Sequence, residues 1–232
     1  YRLTDYYGWT STVYNHITLR VPDTDTFLIN GFGLNYNEIC ASNLVLVDLD
    51  GNKLSDDDFP INKAGFIIHS AIHQARPKDL HCVMHSHEVN SQTLAASKSK
   101  LIPLTQEGCQ LYERVGYHEF NGIVLNDEEK EKLINAIGNE KHTLLMRNHG
   151  LITAGPTAAW AFIRHQHFIR NAEVQLKLMA SNAEMSLISD NILKHTREQF
   201  EGGSAQAGAK VRHPEWPAFW RLLDSLDEKW KQ

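Results

Sequence analysis

Two imidazoles stand two residues apart in Leu80-His81-Cys82-Val83-Met84-His85-Ser86-His87-Glu88, directly after a short apolar run. In an extended strand, side chains two apart lie on one face, so His85 and His87 can close on a single ion. A second apolar run, Leu144-Leu145-Met146, leads through Arg147-Asn148 to His149 and the turn-forming Gly150. Three histidines from two strand ends is the ligand count of a catalytic zinc site with one position left open. The chemistry such a site offers is Lewis-acid work on a carbonyl compound. With 13 His in the chain, one His-x-His pair is a weak signal, and structural or surface histidines are the competing reading. A second pair, His165-Gln166-His167, falls in a helical stretch, where i and i+2 point about 200° apart and do not chelate together. His69 and His73, spaced i and i+4, share a face on a helix.

The rest of the chain bounds what such a site can serve. Its 232 residues suffice for one large domain with a proper core, and 42% hydrophobic with 22% charged residues is ordinary for a globular protein. A net charge of -5 argues against a nucleic-acid partner, which asks for a basic stripe. No apolar run approaches the ~20 residues needed to cross a bilayer, and no basic-apolar-small leader opens the chain, so no membrane partner is expected. The sequence opens on Tyr1 without an initiating Met, so some natural N-terminal sequence is expected to precede it. Cys40, Cys82 and Cys109 are too far apart for a zinc-finger or thioredoxin pattern. Isolated thiols of this kind fit a reducing, cytoplasmic compartment, with Cys82 as core filler.

The elements that must position the histidines read as follows. Residues 14–21 and 26–30 form two strands of a hairpin, and 44–49 a third strand. A helix covers 67–75 and stops at Arg76-Pro77. The His85 strand is followed by a helix over 88–99, and Gly122-Ile123-Val124-Leu125 reads as a short strand. Asn126-Asp127 caps a helix through Ile137, and Pro156-Thr157 opens the longest helix, to about Ser181. Residues 196–213, with Gly202-Gly203-Ser204, read as a mobile linker. Residues 214–230 form an amphipathic helix with Phe219, Trp220, Leu223 and Leu226 on its apolar face, which packs on its own domain or on a neighbouring subunit. The whole is an α/β chain of one domain, residues 1–232, with a largely antiparallel sheet covered by helices on both faces. No glycine-rich nucleotide fingerprint follows a strand.

The ordered blocks His-Ile-Thr-Leu-Arg, Gly-Leu-Asn-Tyr-Asn-Glu-Ile-Cys-Ala-Ser-Asn-Leu-Val, His-Ser-Ala-Ile-His-Gln-Ala-Arg-Pro, His-Ser-His and Arg-Asn-His-Gly resemble the class II aldolase/adducin family, in its adducin-like branch. The resemblance implies a three-layer α/β/α domain with a central, mainly antiparallel sheet. It also implies a divalent metal, zinc first and Fe2+ or Mn2+ next, on His85, His87 and His149. A homo-oligomer, a tetramer in the enzymatic members, belongs to the same expectation. The sugar-phosphate aldolases carry Ser-Ser-Glu where this chain has Lys63-Ala64-Gly65, so their acid/base carboxylate and two phosphate-holding serines are absent. Their phosphate-loop Asn falls near His16.

The activity expected is therefore a metal-dependent lyase, of aldolase or decarboxylase type, acting on a small hydroxy-carbonyl or keto-acid substrate and not on a sugar phosphate. With Gly65 unable to move a proton, Glu88 and Glu107 are the candidate catalytic carboxylates. Glu88 is also placed to cap a helix, and either could hold a ligand imidazole from behind. Lys63, His16 and Asn30 are the candidate substrate contacts, with a plain surface role as the alternative for Lys63. Tyr112 and Tyr117 read as packed rings before they read as proton donors. The rival class is a non-catalytic, adducin-like interaction protein of the cytoskeletal kind that keeps the fold without the chemistry.

Overall fold

A computed structural model describes residues 1–123, 127–206, 213–226 and 229–231. Among the described residues seven strands make one sheet: β1 (His16–Arg20), β2 (Thr26–Asn30), β3 (Leu44–Asp48), β4 (Cys82–Ser86), β5 (Val115–His118), β6 (Thr143–Met146) and β7 (Gly150–Gly155). Their order is β3-β2-β1-β4-β7-β6-β5, antiparallel throughout except for the parallel pair β5 and β6. The helices are α1 (Arg2–Tyr6), α2 (Lys63–Ala75), α3 (Val89–Ala96), α4 (Asp127–Ile137), α5 (Ala158–Ser181), α6 (Asp190–Gln206) and α7 (Trp216–Leu226). No described helix is long and apolar enough to cross a membrane.

The pleat sorts the core into two layers. Phe27, Ile29, Val45, Val47, Val83, Leu144, Met146, Ile152 and Ala154 face one way, onto Ile68 and Ile72 of α2 and Leu133 and Ile137 of α4. Cys82, Met84, Leu145 and Leu151 face the other way, onto Leu94 of α3 and Phe162, Phe168 and Ile169 of α5. Strands β4, β6 and β7 feed both layers, which is why they read as unbroken apolar runs and not as alternating ones. The same parity fixes the histidines. His85 lies on the Val83 side, under α2, whereas Ser86 lies on the Met84 side, under α5.

Four expectations from the sequence are corrected here. Helix α2 begins at Lys63, not residue 67, because the Asn62 side chain caps it by accepting from the Gly65 N–H at 3.2 Å. The strand before α4 is Val115–His118. The expected strand at 122–125 has Gly122 and Ile123 in a bend, and 124–126, with the expected Asn126 cap, lie outside the described residues. The linker expected from residue 196 starts inside α6, which runs through Gly202 and Gly203. That helix is held by Leu193, which is buried, and by Arg197, whose Nη1 donates to the Tyr112 carbonyl and to Glu113 Oε2. Tertiary contacts thus outweigh the poor helix propensity of the glycines. Residues 207–212 of the expected linker lie outside the described residues. Helix α7 packs on its own chain through Trp216, Phe219, Leu222 and Leu223. Trp220 and Leu226, expected on the apolar face, are 46% and 53% exposed.

Candidate metal centre

The ends of β4 and β7 bring three imidazoles together. His85, His87 and His149 each offer a ring nitrogen, and these atoms all lie within 4.8 Å of one another. The ring centroids are 4.7, 4.8 and 4.9 Å apart. His85 Nδ1 donates to the Leu151 carbonyl at 3.0 Å, which leaves Nε2 with its lone pair directed at His87 Nε2, 2.9 Å away. Tetrahedral zinc at 2.0–2.1 Å per ligand sets nitrogens about 3.3 Å apart, so this pair needs to open by only a few tenths of an ångström. Burial pushes all three imidazoles toward the neutral form, His85 well below the ordinary value and His149 down to about 4, and in these two neighbouring histidines add to the shift. Neutral imidazole is the state that ligates a metal. The donor set fits a divalent cation.

Each ligand is held by an identifiable partner. The backbone N–H of His87 donates to Asn15 Oδ1 at 3.3 Å, and Asn15 in turn donates from Nδ2 to the Trp9 carbonyl. His149 sits in the tight β6–β7 turn, in which Asn148 takes the left-handed conformation at φ 53° that Asn tolerates well. Gln92 of α3 donates to the His149 carbonyl. A Cβ on Gly150 would lie 2.5 Å from the Ser86 carbonyl oxygen and 3.0 Å from the His87 ring, so only glycine lets β7 pass this close. From the other face, His165 of α5 accepts from Ser86 Oγ at 2.6 Å and donates through Nδ1 to Thr153 Oγ1, whose own proton goes to the Ala161 carbonyl. His167 instead meets Gln110 and Glu215, so the second His-x-His pair diverges.

His16 stands beside the three. It is the cross-strand neighbour of His85, and the rings stack at 4.7 Å with 29° between planes. The ring of His16 occupies the space over Gly65, where a Cβ would come 2.5 Å from Cδ2 and 2.7 Å from Nε2. Behind it runs a buried chain: His16 Nδ1 to His69 Nε2, His69 Nδ1 to Thr18 Oγ1, and Thr18 Oγ1 to His73 Nε2, each 2.8 Å. His73 Nδ1 ends the chain on the Leu80 carbonyl at 3.2 Å. The sequence carries two signals for this network: Thr18 shares a strand face with His16, and His69 and His73 share a helix face.

The remaining candidates fall elsewhere. Glu88 caps α3, its two oxygens accepting from the N–H groups of Asn90 and Ser91 at 3.0 and 2.9 Å. That is the capping alternative, and it takes up the carboxylate a proton carrier would need. Glu107 is exposed at the start of the 3-10 turn Glu107–Leu111, and its charge is felt by His167 and Glu215. Lys63 is exposed at the start of α2. Asn30 is buried and has both ends of its amide engaged, accepting from the Ile17 N–H of β1 and donating to the carbonyl of Asn15 just before it. Tyr117 Oη accepts from the Leu101 N–H, and Tyr112 lies against Arg197.

Comparison with known proteins follows the same lines. Residues 1–176 match the model of the Class II Aldolase and Adducin N-terminal domain. The crystal structure of an aldolase II superfamily protein from Pseudomonas syringae superposes with a TM-score of 0.89 at 34% identity, over 100% of this chain and 91% of that one. The L-fuculose 1-phosphate aldolase from Glaciozyma antarctica superposes with a TM-score of 0.84 at 27% identity, over 100% and 88% of the two chains. Alpha-adducin of Rattus norvegicus is 35% identical over 97% of this chain, which spans 32% of that protein. The chain belongs to the class II aldolase and adducin family.

Proposed function

We propose that this protein is a divalent-metal-dependent lyase, of aldolase or decarboxylase type, acting on a small hydroxy-carbonyl or keto-acid substrate. The observation that supports the reading best is the convergence of His85, His87 and His149, one ring nitrogen of each lying within 4.8 Å of the others. Zinc suits three imidazoles best, with Fe2+ or Mn2+ as other cations that accept this set. Such an ion supplies the Lewis acidity that draws charge onto a substrate carbonyl oxygen. The chain's own residues do the rest. The His85 ring is oriented by the Leu151 carbonyl, the His87 backbone is held by Asn15, and Gly150 lets β7 lie against the Ser86 carbonyl, so the site is built before substrate arrives.

The substrate is not a sugar phosphate on this reading, because Lys63-Ala64-Gly65 stands where serines and a carboxylate would be needed, and Gly65 is filled by His16. The protein works in a reducing, cytoplasmic setting, in keeping with three free thiols, and as a homo-oligomer. The test is a panel of hydroxy-aldehydes and 2-keto acids assayed for cleavage with and without a chelator. Chelator-sensitive turnover of one member supports the lyase; silence across the panel with metal bound argues against it.

One observation favours a second reading. The 35% identity to alpha-adducin extends over nearly the whole chain, and the carboxylate is missing at Gly65. A non-catalytic interaction protein would keep this fold and need no cation. Metal content separates the two.

A further inference from the structure

The buried chain behind His16 has a direction, and the direction can be read from donors and acceptors alone. A carbonyl oxygen only accepts, so His73 Nδ1 carries hydrogen toward Leu80, and neutral His73 leaves Nε2 bare. The single hydroxyl proton of Thr18 must then go to His73 Nε2, and Thr18 Oγ1 accepts from His69 Nδ1. Neutral His69 leaves its Nε2 bare, so the proton in the last bond sits on His16 Nδ1. His16 Nε2 ends the chain without a proton. It makes no hydrogen bond to any described residue, yet it is not among the buried side-chain atoms shut off from solvent without a partner. It also lies outside the group of three whose nitrogens converge on one point. The chain thus leaves one acceptor nitrogen, held bare by four linked groups, on a ring that stacks against a candidate ligand.

We propose that His16 Nε2 is the hydrogen-bond acceptor for a hydroxyl of the substrate, so that the site selects hydroxy-carbonyl compounds over carbonyl compounds lacking that hydroxyl. This rests on the reading of the site as a metal centre for a carbonyl compound, and narrows it. His69, Thr18 and His73 are positioning residues: none is placed to touch substrate, and each passes on the arrangement that keeps Nε2 bare. Gly65 completes the device, because any side chain there would displace the ring.

The experiment has two arms. In the first, hydroxyacetone and acetone are titrated into zinc-loaded wild type and His16→Phe, with zinc stoichiometry measured in both. Wild type is expected to prefer hydroxyacetone by about tenfold or more, one hydrogen bond's worth, and His16→Phe to lose that preference with its zinc retained. An equal preference in both proteins means the hydroxyl is recognised by something other than His16 and overturns the proposal. In the second arm, 15N spectra of the imidazoles are recorded on the metal-free wild type and on Thr18→Val. Wild type is expected to show His16 protonated at Nδ1 and bare at Nε2, with that order lost in Thr18→Val. A proton on His16 Nε2 in wild type overturns the proposal even if His16→Phe fails to fold. Failure to bind zinc at all is a separate result, which removes the metal reading and leaves the second arm to judge the acceptor.

Discussion

Gly150 decides whether three imidazoles can meet at the end of β4. Its missing Cβ is what lets β7 lie against the Ser86 carbonyl, and a methyl group there has backbone, not a flexible side chain, in its way. Gly150→Ala is expected to lower the melting temperature and to abolish stoichiometric metal binding, read by metal analysis of the folded fraction. Gly65 is constrained differently, since the atoms it meets belong to the His16 ring. Overpacking of this kind costs about 1–3 kcal/mol. Gly65→Ala should therefore destabilise wild type, while the pair Gly65→Ala with His16→Ala should cost less than the sum of the singles in urea denaturation. Additive costs would mean that the two positions do not share that space. At this scale the sequence was partly legible. His85, His87 and His149 could be placed from spacing and strand parity. His16 could not be joined to His69, because 53 residues separate partners whose meeting depends on how α2 lies across β1.

The elements explain why other legible residues do something plainer than chemistry. Glu88 follows the histidine pair in sequence, but β4 ends and α3 begins there, so its carboxylate turns back onto the first N–H groups of the helix. Glu88→Ala is expected to cost about 1 kcal/mol of stability, as loss of an N-cap does, while leaving metal stoichiometry intact. Loss of the metal with unchanged stability would instead return Glu88 to the site. Ser86 ties the site strand to α5. Ser86→Ala leaves the buried His165 Nε2 without its donor and should cost about 1–3 kcal/mol in urea denaturation. Strand and helix boundaries were readable where apolar runs were long, as in β7 and α5. They were not where the run was four residues with a glycine and a histidine in it, as in β5. The glycines of α6 and the true apolar face of α7 were hidden for one reason: packing partners far along the chain, not local preference, set both.

Across the whole molecule, the most unusual commitment is the number of histidines placed in the interior. Burial holds His73 and His165 down to about 3, and His69 and His142 well below their ordinary value. In the unfolded chain these groups take up protons below about pH 6.5, whereas in the folded chain they do not. The unfolded state therefore binds more protons, and stability falls as pH drops from 6.5 toward 3, by about 1.4 kcal/mol per unit for each such group. Urea midpoints measured at pH 7.5, 6.0 and 5.0 should decline steeply across that series. A flat profile would mean that these imidazoles are not buried as neutral groups. The layered architecture itself was open to inference, since apolar runs, turn residues and the order of blocks pointed to one α/β/α domain with a mainly antiparallel sheet. The two-sided core of β4, β6 and β7 then dictates which face each histidine takes.

The most direct test of the metal centre is the divalent metal content of purified protein beside that of His85→Ala and His149→Ala. One ion per chain in wild type, lost in both variants while circular dichroism shows them folded, is the predicted result. Wild type that stays metal-free after incubation with zinc, iron or manganese, or variants that keep the ion, would contradict it.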